Sequence, residues 1–221
     1  MADRAKFEYS AKAKVGPFRA SFLKILDKPD LNKDDSGNET KTWGLVAIFE
    51  TDAEQAPLKA AFKEAAKKLW GDKAEQMVKH KSFLSPFKTG DDMRDREGKL
   101  YAGFTENCFA VKLSSKQGSP QVVDRQVRLI VDYEGKTLVD PDNNVYEMIE
   151  ENRLWSGCWF RASFTAQAFD HPKNFGVSFK LENLQLYKQD ERLGGGGRAK
   201  ASDDFEAIDA PKGTSADDMW D

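Results

Sequence analysis

The body of the chain is built on alternation. Across residues 159–169 the even positions Phe160, Ala162, Phe164, Ala166 and Ala168 are all apolar, continuing back to Cys158, while the odd positions are Trp159, Arg161, Ser163, Thr165, Gln167 and Phe169. A period of two marks a strand with one face in a core and the other outside it. Residues 18–26, 43–50, 101–113, 122–131 and 177–187 read as strands too, as β-branched and aromatic runs separated by polar, turn-forming connections such as DKPDLNKDDSGNET. One segment breaks the period. EQAPLKAAFKEAAKKLW places Leu58, Phe62, Ala65 or Ala66, and Leu69 at helical spacing, with Pro57 tolerable in the first turn, and predicts a helical insertion over 54–80. Six strands with one helix among them predict a mainly β fold, a small closed or nearly closed barrel. In a doubly wound sheet, strands and helices would alternate.

Composition adds a boundary. The glycines Gly194, Gly195, Gly196 and Gly197 form a run that no strand or helix interior tolerates, and the residues after it are small, polar and acidic. The expected organisation is a folded domain over 1–193 and a disordered linker and tail over 194–221. Charge divides a little further on. Seven of the 37 acids and one of the 34 bases fall in 201–221, which leaves 33 bases against 30 acids in residues 1–200. The net charge of −3 therefore conceals a positive body and a strongly negative tail that ends in Asp217, Asp218, Met219, Trp220 and Asp221.

Several classes of function are disfavoured at this level. No run approaches the roughly 18 apolar residues of a membrane span, and the opening MADRAKFEYS has no apolar signal core, so a cytoplasmic protein without a membrane partner is expected. Two cysteines and two histidines are too few for a disulfide framework and argue against a structural zinc site, and the expectation is no metal and no cofactor. There is no G-x-S-x-G, no P-loop and no G-x-G-x-x-G, so the chain does not read as an enzyme. Asp91, Asp92 and Asp95 lie close enough in sequence to suggest a metal-dependent nuclease, with turn capping as the plainer reading.

The odd face of 159–169 combines rings at both ends, a guanidinium and small hydrogen-bonding groups. Single-stranded nucleic acid is held by this mixture, since bases stack on aromatic faces while cations hold phosphates. The alternative is that Trp159 and Phe169 complete the core at the barrel rims. Lys88 and Arg94, in the loop SPFKTGDDMRDREG, Tyr101 after it, and the helix lysines Lys59 and Lys63 are further candidates for DNA contact.

The stretch LWSGCWFRASFTAQAFDHPKNFGVSFKLENLQLYKQDERLGGGG resembles the C-terminal half of a family of bacteriophage and prophage single-stranded DNA-binding proteins. The resemblance rests on Ser156-Gly157-Cys158, Phe169-Asp170, Gly176 to Ser178, Leu181, Asn183 and Gln185, and Glu191 to Gly195, with weaker similarity through 85–92, 101–115 and 120–124. It implies an OB fold, here a five-stranded Greek-key barrel with the first or last predicted strand as an extension, and binding of single-stranded DNA without sequence preference during phage replication and recombination in the bacterial cytoplasm. It also implies a tail that recruits replication and recombination proteins. This tail places Asp221 after its aromatic residue, whereas many such tails end on the aromatic itself. A structural or interaction protein of a phage assembly is the alternative, and the oligomeric state stays open, a homodimer included.

Overall fold

The computed structural model describes residues 5–25, 29–33, 37–131 and 154–194. The strands, in chain order, are β1 (Lys6–Tyr9), β2 (Ala13–Lys24), β3 (Asp30–Lys33), β4 (Glu39–Phe49), β5 (Phe83–Leu84), β6 (Phe87–Thr89), β7 (Phe109–Ser115), β8 (Gln121–Val123), β9 (Leu129–Val131), β10 (Trp159–His171) and β11 (Asn174–Lys188). Two helices, α1 (Ala56–Trp70) and α2 (Ala74–Val78), fall between β4 and β5. The linker and tail expected over 194–221 lie, beyond Gly194, outside the described residues.

Five strands close on themselves. β2 pairs antiparallel with β4, β4 with β7, β7 parallel with β11, β11 antiparallel with β10, and β10 antiparallel with β2 again. This order, with the third and fifth barrel strands parallel, is the closed Greek-key barrel of the OB fold. The interior is the even face of β10, as its alternation predicts: Phe160, Ala162, Phe164, Ala166 and Ala168 are buried. They meet Phe18 of β2, Leu45, Ala47 and Phe49 of β4, Val111 and Leu113 of β7, and Phe179 of β11 in one core. Each fully buried phenylalanine contributes about 1.5–3 kcal/mol relative to exposure. The α1 helix buries Leu58, Ala61, Ala65 and Ala66 against the same core, with Pro57 in its first turn.

Four sequence expectations need correction. Residues 101–113 are extended only from Phe109: Gly103 at φ 86° turns the chain, and 101–108 is a succession of turns that carries Tyr101 and Phe104 outside the barrel. The 122–131 segment is a hairpin, because Asp124 accepts the N–H groups of Gln126 and Arg128 and reverses the chain between β8 and β9. That hairpin, hung on β11 through β8, is a strand addition in the middle of the chain, where the first or last predicted strand was expected to be the extra one. The first predicted strand starts earlier, at Ala13, and its register slips between Ser21 and Lys24, where Phe22 takes φ 49° and leaves the apolar alternation. The edge strands β1 and β3 are additions that periodicity does not reveal.

Candidate nucleic-acid interface

Strand parity puts Leu45, Ala47 and Phe49 of β4 inside, so Val46 faces outward, and on β7 the inward Val111 and Leu113 leave Lys112 and Ser114 outward. Two hollows meet on this outer surface. One, of about 340 Å³, is lined among others by Lys88, Lys112, Ser114, Phe169 and Ser178; the other, of about 210 Å³, by Phe22, Lys24, Trp43 and Lys112. Val46 and Lys112 belong to both walls, so the two hollows form one groove across β4 and β7. The first hollow has no carboxylate in its lining among the described residues. In the second the carboxylate is Asp30, ion-paired with Lys24.

The aromatic groups of the groove are held by neighbours that leave ring surface available. Phe22 is 40% exposed, packs edge-on against Tyr101 at 5.0 Å and lies 6.2 Å from Phe104. Phe104 belongs with Ile48, Met93, Cys108 and Ala110 to a small second core under the 90–108 turns, which fixes that end of the groove. Trp43 is half-buried, and among the described residues nothing accepts a hydrogen bond from its buried Nε1.

The predicted residues separate into groups. Lys88 and Phe169 line the groove, and Tyr101 supports it through Phe22. Arg161 is exposed on β10 but lies eight residues from Phe169, about 26 Å along an extended strand. It lines a separate pair of hollows with Lys14, Ser163, Asn183 and Gln185 on one side and Arg125, Tyr187 and Lys188 on the other. Between the two ends Glu182 accepts a hydrogen bond from Thr165 and pairs with Lys12, so the odd face of β10 is interrupted by an acid. Trp159, beside Arg161, donates Nε1 to Asp190 Oδ2 at 2.8 Å, and the Lys188 ammonium stands 4.8 Å from its ring centroid. The Trp159 hydrogen bond, with the Glu191 N–H, holds the Asp190 carboxyl below its usual range.

Other candidates lie away from the groove or are already paired. Arg94 is bonded to Asp91, Glu106 and the Gly98 carbonyl. Lys59 is ion-paired with Asp52, and Lys63 lines a cleft between α1 and α2 that shares no residue with the groove. The three aspartates serve three local purposes: Asp91 pairs Arg94, Asp92 forms a capping box with Thr89, and Asp95 accepts the N–H groups of Glu97 and Lys99. Bonds from the Thr89 N–H and hydroxyl hold Asp92 below its usual range. The tail residues 217–221 lie outside the described residues. Phe22, Trp43 and Lys112 were not among the sequence candidates. Lys112 had a signal, as the one charged position between the apolar residues Val111 and Leu113.

The family model described as Enterobacter phage Enc34 ssDNA-binding protein matches residues 11–219. The chain belongs to this family. No curated protein sequence matches it. Among solved structures, the fold is similar to the C-terminally truncated single-stranded DNA-binding protein of bacteriophage Enc34, with a TM-score of 0.54 and 16% identity over 82% of this chain and 88% of that one. It is also similar to the bacteriophage Enc34 protein in complex with single-stranded DNA, with a TM-score of 0.52 and 17% identity over 83% and 89% of the two chains. At these identities the likeness is one of fold.

Proposed function

We propose that the protein binds single-stranded DNA without sequence preference, through the groove on the outward faces of β4 and β7, in support of phage DNA replication and recombination in the host cytoplasm. The observation that carries this reading is the groove wall itself, where Phe22, Trp43 and Phe169 stand with Lys24, Lys88 and Lys112 and, among the described residues, the one lining carboxylate, Asp30, is paired. Bases stack on rings irrespective of identity, and each such stack is worth about 1–3 kcal/mol. Lysines serve phosphates as point charges and do not present the planar fork with which arginine reads base edges. Family membership agrees with a binding protein in preference to an enzyme. The Arg161, Lys14 and Arg125 cluster, beside Trp159 and separate from the groove, offers a second set of phosphate contacts.

The acidic tail competes with DNA for the basic surface and recruits replication and recombination proteins when displaced. Leu193 packs into the second core, against Gly103 and near Phe104, so the chain leaves the barrel beside the Phe22 end of the groove. From Arg198 onward a flexible chain has a root-mean-square reach of roughly 25–30 Å, and tethering gives it an effective concentration of order millimolar.

The test is the double substitution Lys88→Ala and Lys112→Ala, two exposed positions outside the core. Affinity for oligothymidine should fall at least tenfold at low salt with an unchanged melting temperature. Unaltered affinity would place the DNA elsewhere.

A further inference from the structure

β1 leaves two rings in solvent. Phe7 is 48% and Tyr9 41% exposed, although each sits in a hydrogen-bonded strand. In register they stand opposite odd positions of β10, Phe7 against Phe169 and Tyr9 against Gln167. The intervening even residue of β10, Ala168, is buried. Phe7 and Tyr9 therefore share the outward face with Phe169, which is also part of the groove wall.

The surroundings of these rings suit a polyanion with aromatic bases. The Lys180 ammonium lies 5.2 Å from the Tyr9 ring centroid, and Gln167 Nε2 donates to the Tyr9 hydroxyl at 3.0 Å, so the ring is oriented. The nearby acids take the other parity: Glu8 alternates with Phe7 and Tyr9, and Asp170 accepts the Trp70 indole N–H from α1. Glu182, paired with Lys12 and bonded to Thr165, ends the platform further along β10. From β7 to β1 the outward surface passes over β11 and β10, three strand spacings or about 14 Å.

We infer that Phe7, Tyr9 and Phe169, flanked by Lys180, form a second base-stacking platform onto which a single strand continues from the groove. The inference rests on the reading of the groove as the DNA site and extends it by naming where a longer strand goes. A strand of about 5 nucleotides fills the groove alone, while one of about 16 nucleotides, at the upper end for an OB fold, reaches β1.

The experiment compares the full chain with its Phe7→Ala, Tyr9→Ala double variant, using fluorescence anisotropy of labelled oligothymidine of these two lengths. Affinity for the longer strand should fall at least about fivefold, the lower limit of one lost stack, while affinity for the shorter strand stays the same. Equal losses at both lengths, or none, overturn the inference. If the parent protein binds neither length, the groove reading fails and this one with it. Tyr9→Trp, which keeps a ring, provides a check independent of the double variant's folding: against the parent protein's signal, its added fluorescence should change with the longer strand only. Sedimentation velocity separates the remaining occupant. A double variant that loses self-association and retains long-strand affinity makes the rings a contact between copies and contradicts the platform.

Discussion

Gly157 lies beneath the carbonyl of Glu191 so closely that a Cβ on it would stand 2.0 Å from that oxygen. The glycine's φ of 120° is one that other residues rarely adopt. Two of the stretches on which the sequence resemblance rests, 156–158 and 191–193, thus meet in space. Arg19 joins them, donating Nη2 to the Glu191 carbonyl at 3.0 Å and Nε to the Gly157 carbonyl at 3.4 Å, and Leu193 donates its N–H to the Ser156 carbonyl at 2.7 Å. This clasp seats the segment from which the tail departs.

Gly157→Ala should therefore cost roughly 2–3 kcal/mol of stability, from backbone strain together with displacement of residues 191–193. Urea denaturation should show a lower midpoint with an unchanged slope.

Asp124 predicts an acid-sensitive hairpin. Burial pushes its carboxyl up, but the Arg128 N–H and side chain, with the Gln126 N–H, outweigh that and hold it below its usual range. A depressed folded-state value means stability that is present above the unfolded value, about pH 4, and is lost as the pH falls through the folded one. Gln185 Nε2 donates to the Asp124 and Arg125 carbonyls, so loosening the hairpin disturbs the Arg161 hollows as well. Asp124→Asn should reduce stability at pH 7 and flatten the dependence between pH 5 and pH 3, measured by thermal unfolding across that range.

Arg161 and Trp159 separate electrostatics from scaffold. Arg161→Ala should weaken single-strand binding and make the salt slope shallower by about 0.7, the value of one phosphate contact. Trp159→Ala removes the Asp190 bond and the Lys188 contact, so it should lower the melting temperature in addition to any loss of affinity. A loss of affinity alone would show that the ring serves bases and contributes little to the scaffold.

What was legible in the sequence is what burial imposes on it. The even face of β10 and the Leu58 face of α1 could be read because a core demands apolar groups at fixed periods. The strands β1 and β3 could not, because KFEY and DLNK owe their extension to pairing with β10 and β4 and bury little. The groove was half legible. Lys88, Tyr101 and Phe169 could be named from residue type, but Phe22 lies in an apolar run and faces outward only because the strand slips at φ 49°. Gly176 shows the same limit: its motif was visible, but not the reason, which is that Leu84 of β5 approaches to where a Cβ would meet its carbonyl at 2.4 Å.

Removal of residues 198–221 should raise single-strand affinity, most at low salt, and abolish binding of replication partners. The gain should shrink toward 0.15 M salt, where the Debye length is about 8 Å and both tail and groove are screened. Filter binding by the full and shortened chains across salt concentrations measures it, and equal affinities at low salt would remove the competition.

Base stacking between the lysines of the groove is measured by titrating intrinsic tryptophan fluorescence with oligothymidine at two salt concentrations, beside a duplex of the same length. Trp43 lines the groove, so its emission should change on binding. The logarithm of affinity should fall linearly with that of salt at about −0.7 per phosphate neutralised, and the duplex should bind more weakly at both concentrations. Equal affinity for duplex and single strand, or affinity indifferent to salt, would contradict a groove that stacks bases between lysines.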